Sequence, residues 1–118
     1  MIFRLFSILM TGLFVLAAAV QYNDPDPWLW IGVYMSVALI SAGALLGWNI
    51  RMFSGLLCAG LFSGVLFLSP RFLDTSLQAF TSVGMDSIVE EEVRELWGLL
   101  IALLWTLTLF FKSIRKRD

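Results

Sequence analysis

A chain of 118 residues that is 59% hydrophobic and only 14% charged, with a mean hydropathy of +0.87, is far more apolar than the roughly 45–50% of a soluble domain and reads as a membrane protein. It has no histidine and a single cysteine, Cys58, which excludes a disulfide framework, zinc sites of the Cys/His kind, His-ligated haem and any nucleophile–histidine dyad. The net charge of −1 conceals a segregation of basic from acidic residues along the chain.

The first predicted element is a transmembrane helix over about residues 5–22; it is apolar up to Val20 apart from Ser7 and Thr11, and Leu5 to Gln21 at 1.5 Å per residue reach about 25 Å, near the lower limit for a span. A cleaved signal peptide is the competing reading, with Arg4 as the positive start and Ala17-Ala18-Ala19 as the small-residue cleavage site. The apolar stretch is long for such a segment, and the transmembrane reading is preferred.

Gln21 to Trp30 then reads Q-Y-N-D-P-D-P-W-L-W. Pro25 and Pro27 fix φ and bias Asp24 and Asp26 away from the helical region, so the first helix ends by about Asn23. Asp26 is placed to cap the next helix, with Pro27 at its first position, where a missing N–H costs nothing. Tyr22, Trp28 and Trp30 suit the headgroup level. Beside this capped-hairpin reading stands a binding one: Gln21, Tyr22, Asn23, Asp24 and Asp26 gather oxygen ligands of the kind a hard cation such as calcium accepts, although the loop lacks the spacing of a calcium loop.

A second span is expected over 28–48. Gly32, Ser36, Gly43 and Gly47 fall on one face of that helix, and small residues on one stripe let another helix approach closely in lipid. Asn49 and Arg51 make a short turn, and a third span over 52–69 carries Gly55/Ala59 and Gly60/Gly64, each pair four apart. Pro70 ends it. Within the connection that follows, Leu73, Leu77 and Phe80 recur at helical spacing behind Asp74, which predicts a short interfacial helix over 73–81.

The last predicted helix, over 88–112, opens with Ser87-Ile88-Val89-Glu90-Glu91-Glu92-Val93-Arg94-Glu95. Ser87 and Glu90 have capping-box spacing, and acids in the first turns suit the positive end of the helix dipole. Glu95 needs a further reason: with Glu91, Gly98, Ala102 and Trp105/Thr106 it shares a face whose small residues point to other helices. An acid there is a functional-site candidate unless paired or hydrated, and Arg94 cannot neutralise every acid beside it.

With four spans, the N-terminus, the second turn and the C-terminus lie on one side, which carries Arg4, Arg51, Lys112, Arg115, Lys116 and Arg117, six of the eight basic residues. The positive-inside rule then places both termini in the cytoplasm, at the inner membrane if the source is bacterial. All the acids but Asp118 fall on the other side, so the N-D-P-D turn and the E-E-E-V-R-E helix start face one compartment. The basic tail reads as a topology signal and phospholipid contact; no nucleic-acid partner is expected. The fold expected is all-α: four transmembrane helices in an up-down-up-down bundle forming a single domain.

Two polar strings, Val20-Gln21-Tyr22-Asn23-Asp24-Pro25-Asp26-Pro27 after the first helix and Glu91-Glu92-Val93-Arg94-Glu95-Leu96-Trp97-Gly98-Leu99 at the start of the last, resemble those of the transmembrane protein 220 family, small four-helix membrane proteins with a V-Q-x-N-D-P-D-type turn and an E-E-x-R-E-x-x-G-L-type helix start. The resemblance implies that the strings form one site. It implies no substrate and no catalytic residue.

Three functions compete. The preferred one is a non-enzymatic accessory, assembly or binding module that docks another membrane protein or a second copy through Gly32, Ser36, Gly43, Gly47, Gly60, Gly64 and Gly98 and an acidic site of Gln21, Tyr22, Asn23, Asp24, Asp26, Glu91, Arg94 and Glu95. The second is cation binding or permeation through Asp24, Asp26, Glu91 and Glu95, against which stands the lack of any acid near the bilayer midplane and of any broken helix or internal repeat. The third, paired-carboxylate catalysis at the outer leaflet, lacks a histidine, a metal-ligand set and a nucleophile in a recognisable context. No cofactor is expected beyond that possible cation.

Overall fold

The computed structural model describes residues 2–23, 27–70 and 88–117, and among them there is no strand. The elements in chain order are α1 (Ile2–Ala19), a 3-10 turn (Val20–Asn23), α2 (Pro27–Leu45), α3 (Arg51–Leu68) and α4 (Ile88–Arg117). Four of the described segments, Ile2–Tyr22, Pro27–Leu45, Arg51–Leu68 and Val93–Arg115, are long and apolar enough to cross a membrane. No more than 33% of any span is buried within the chain. The remaining apolar side chains, such as Leu9 and Leu16 on α1 or Leu56 and Phe67 on α3, are what a lipid environment accepts. This is a polytopic membrane protein. The expected interfacial segment at 73–81 lies outside the described residues.

Local chemistry explains the element ends. Helix α1 tightens into the 3-10 turn and stops at Asn23, where the following prolines forbid continuation. Pro27 opens α2, the position at which its fixed φ fits and its missing N–H has no helical partner.

The end of α2 departs from the 28–48 expected of it. The helix stops at Leu45, and Gly47 has φ +80°. The Trp48 N–H donates to Gly43 O at 2.9 Å and the Gly47 N–H to Ala44 O at 3.4 Å, the paired bonds of a Schellman stop. Such a stop brings together the side chains of Trp48 and residue 43. Gly43 has none, so the indole lies directly on the helix backbone: a Cβ at Gly43 would sit 2.9 Å from Trp48 Cε3. Gly47 therefore terminates the helix and does not belong to a helical packing face. Ile50 then accepts the first bond of α3 from the Ser54 N–H at 2.8 Å, and Asn49 Oδ1 accepts from the Arg51 N–H at 3.3 Å, occupying one of the free donors at the helix start.

The chain divides into two compact units, Met1–Leu57 with Thr106–Asp118, and Cys58–Trp105. In the first, α1 packs on α2 through Met10, Phe14 and Ala18, buried four residues apart. Phe14 stacks on Tyr34 with centroids 6.0 Å apart, and Tyr34 meets Trp30 at 6.1 Å. Trp30, expected at the headgroup level, is thus buried against this row, whereas Trp28 is 84% exposed. The first part of α3 meets α4 where a Cβ on Gly55 would lie 3.1 Å from Phe110 Cε1. In the second unit the two helices meet again, with Leu99 Cδ1 2.9 Å from a Cβ built on Gly64, over a core that includes Leu61, Val65, Val93 and Leu96.

Candidate functional site

The two polar strings sit at helix ends, one in each unit. At the first, Gln21 is half-buried and its Nε2 donates to Ala17 O at 3.1 Å, which ties one amide N–H to its own helix. Tyr22 is 73% exposed, a ring free to lie among headgroups or to meet a partner. Asn23 closes the 3-10 turn. Asp24 and Asp26 lie outside the described residues.

At the second string, Glu91 is placed by the backbone of α4 alone, while Arg94 and Glu95 are both half-buried and neither is free of partners. The fully buried stripe at this end runs through Val93 and Leu96, so Glu95 stands on the flank of the buried face. Gly98 is half-buried, and Ala102 and Thr106, on the same face as Glu95, are fully buried. Burial along this face therefore deepens from Glu95 to Thr106. Among the described residues, no three His, Cys, Asp or Glu side chains gather as metal ligands would; of the four candidate cation ligands, only Glu95 has a described side chain.

The small residues separate into two groups. Gly43, Gly55 and Gly64 are each covered by a side chain at 2.9–3.1 Å from the position a Cβ would take. Gly12, Gly32 and Gly60 are exposed and have none of the described residues within 4 Å of that position. Ser36 is half-buried and returns its hydroxyl to Gly32 O at 2.7 Å, which leaves a smooth, apolar patch around Gly32.

One set of groups escaped the sequence reading. Ser7 and Thr106 are fully buried, and Ser7 Oγ and Thr106 Oγ1 have no hydrogen-bond partner among the described residues. Helical serines ordinarily return the hydroxyl to a carbonyl three or four residues back, as Ser41 does to Val37 O at 2.8 Å. Only the packed structure reveals which hydroxyls fail to do so.

The family described as "Transmembrane family 220, helix" matches residues 13–111 of the chain. A relative named "Transmembrane protein 220" from Xenopus laevis is 37% identical over 107 residues, covering 90% of this chain. The chain spans 57% of that relative's own length. No solved structure matches.

Proposed function

We propose a function on one premise: this chain belongs to the transmembrane protein 220 family, whose name carries a membrane location and no reaction. It acts as a non-enzymatic accessory or assembly module that docks another membrane protein. Each unit offers an open glycine position for such a contact, and the acidic strings at the helix ends add charge recognition.

One observation carries this reading. Gly32 and Gly60 stand within membrane-length helices, exposed, with none of the described residues within 4 Å of where a side chain would begin. A glycine in a helix costs roughly 1 kcal/mol relative to alanine, and these two gain no packing from the described residues in return. Close approach of a second helix is the use membrane proteins make of such positions. Glu95, half-buried at the start of α4, and Asp24 supply the negative charge that a basic segment of the partner would meet.

The test is native mass spectrometry of the gently solubilised protein at its natural abundance, for the wild type and for Gly32→Leu and Gly60→Leu. The expected result is a stoichiometric membrane-protein partner on the wild type, lost in at least one variant whose thermal unfolding is unchanged. A wild-type chain that always runs alone, or variants that keep the partner, would overturn the reading.

A further inference from the structure

Within the first unit, a cavity of about 260 Å³ opens where the start of α1, the α2–α3 turn and the end of α4 meet. Its walls are largely apolar, with Trp48, Ile50 and Leu109 among them, and Arg4, Lys112, Ser7 and Ser113 also line it. Three features set it apart from an ordinary crevice between helices.

The first is charge. None of the described residues that line it is acidic; the three acids of this unit, Asp24, Asp26 and Asp118, lie outside the described residues. Arg4 and Lys112 thus bring two positive charges to a lining whose described residues offer no carboxylate. The second is pre-positioning: Lys112 Nζ stands 3.4 Å from the centroid of the Phe3 ring, an attraction that holds the ammonium at the cavity wall and is weak enough to be exchanged for an anion. The third is the Ser7 hydroxyl, fully buried, lining the cavity and without a partner among the described residues. A buried donor of this kind incurs a desolvation penalty until an acceptor reaches it.

We propose that this cavity is a binding site for the phosphate-bearing headgroup of an anionic phospholipid, drawn from the leaflet at the end of the molecule that holds both termini. The phosphate pairs with Arg4 and Lys112 and accepts from the Ser7 hydroxyl, and the glycerol and first methylenes lie against Trp48 and Leu109. The volume agrees with that occupant. It falls below the roughly 300–1,000 Å³ of pockets that enclose a whole small ligand, so it accepts a headgroup and leaves the acyl chains in the bilayer. This site goes beyond the docking role and uses none of its residues.

The experiment measures retention of lipid on the full chain by native mass spectrometry, from mixed vesicles of phosphatidylglycerol and phosphatidylcholine. The expected result is one tightly held phosphatidylglycerol and no selective phosphatidylcholine. Arg4→Gln with Lys112→Gln should weaken retention about thirtyfold, each basic group near the surface contributing about fivefold. Arg51→Gln removes an exposed basic residue that does not line the cavity and should change retention less than twofold. Should the double variant fold poorly, Ser7→Ala decides the matter: it deletes a hydroxyl that bonds nothing else described, so thermal unfolding should hold or rise while retention falls about tenfold.

Equal losses in Arg51→Gln and the double variant would overturn the proposal in favour of diffuse attraction to a basic surface. Equal retention of both lipids would overturn it as well. Saturable binding of inorganic phosphate to lipid-free protein, with the same dependence on Arg4, Lys112 and Ser7, would reassign the site to soluble phosphate.

Discussion

Gly43 and Trp48 show how much a single missing side chain decides. The Schellman stop at the end of α2 needs a left-handed residue at Gly47 and a close contact between the residues five apart that flank it, and the indole meets that need by lying on bare backbone. Gly43→Ala would put a methyl 2.9 Å from Trp48 Cε3 and 3.2 Å from Ile50 Cγ2, an overpacking that should cost about 1–2 kcal/mol. The check is a lowered thermal midpoint, largely restored when Trp48→Ala is added; no recovery in the double variant would place the strain elsewhere. Thr106 supports the opposite prediction. Its fully buried hydroxyl bonds nothing described, so Thr106→Val, which keeps the shape and removes the desolvated donor, should leave stability unchanged or raise it by about 1 kcal/mol. A drop in thermal midpoint would show that the hydroxyl has a partner after all.

At the scale of elements, α4 is the helix on which charge, burial and packing change most along its length. Glu95 is half-buried and partnered near its start, ahead of the fully buried Leu96, Ala102 and Thr106. Glu95→Ala should therefore lower the thermal midpoint by several degrees, and Glu92→Ala, whose position falls off the Glu91–Glu95–Gly98 face, by clearly less; equal shifts would count against a special role for that face. Much of this element order was legible in the chain. Two prolines after Asn23 dictate a helix end, Pro27 dictates a helix start, and long apolar runs dictate spans. The end of α2 was harder to read, because L-L-G-W is apolar throughout and a glycine four residues from another reads as a packing stripe. Only the positive φ at Gly47 distinguishes a stop from a face. Likewise, Trp28 and Trp30 look alike in sequence, and it is the stacking of Tyr34 between Phe14 and Trp30 that turns one inward and leaves the other outside.

For the molecule as a whole, the cavity that gathers Arg4, Trp48 and Lys112 brings the N-terminal helix start, the α2–α3 turn and the end of α4 to one end, as the segregation of basic residues implied. Which compartment that end faces is a proposal from the positive-inside rule, which assigns it to the cytoplasm. Cysteine labelling checks it: Cys58 is buried, and in a Cys58→Ser background Arg115→Cys should react with a membrane-impermeant maleimide once the cytoplasmic face is opened and the protein's own membrane is still sealed, whereas Tyr22→Cys should stay shielded from that face until the membrane itself is permeabilised. The reverse pattern would invert the topology and move the basic cavity to the other leaflet. The polar strings were legible as a candidate site in composition and place alone. The orphaned hydroxyls and the cavity were not, since both depend on which faces of distant helices meet.

The lengths of the middle spans have one more consequence. Helices of 19 and 18 residues in α2 and α3 cover about 28 and 27 Å, which matches the hydrocarbon thickness of an endoplasmic-reticulum-like bilayer and falls several ångströms short of a sterol-rich plasma membrane at about 32–33 Å. A thick bilayer must be squeezed to fit these helices, at a fraction of a kcal/mol for each ångström of mismatch. Helices of this length therefore meet a thin bilayer with less mismatch than a thick one.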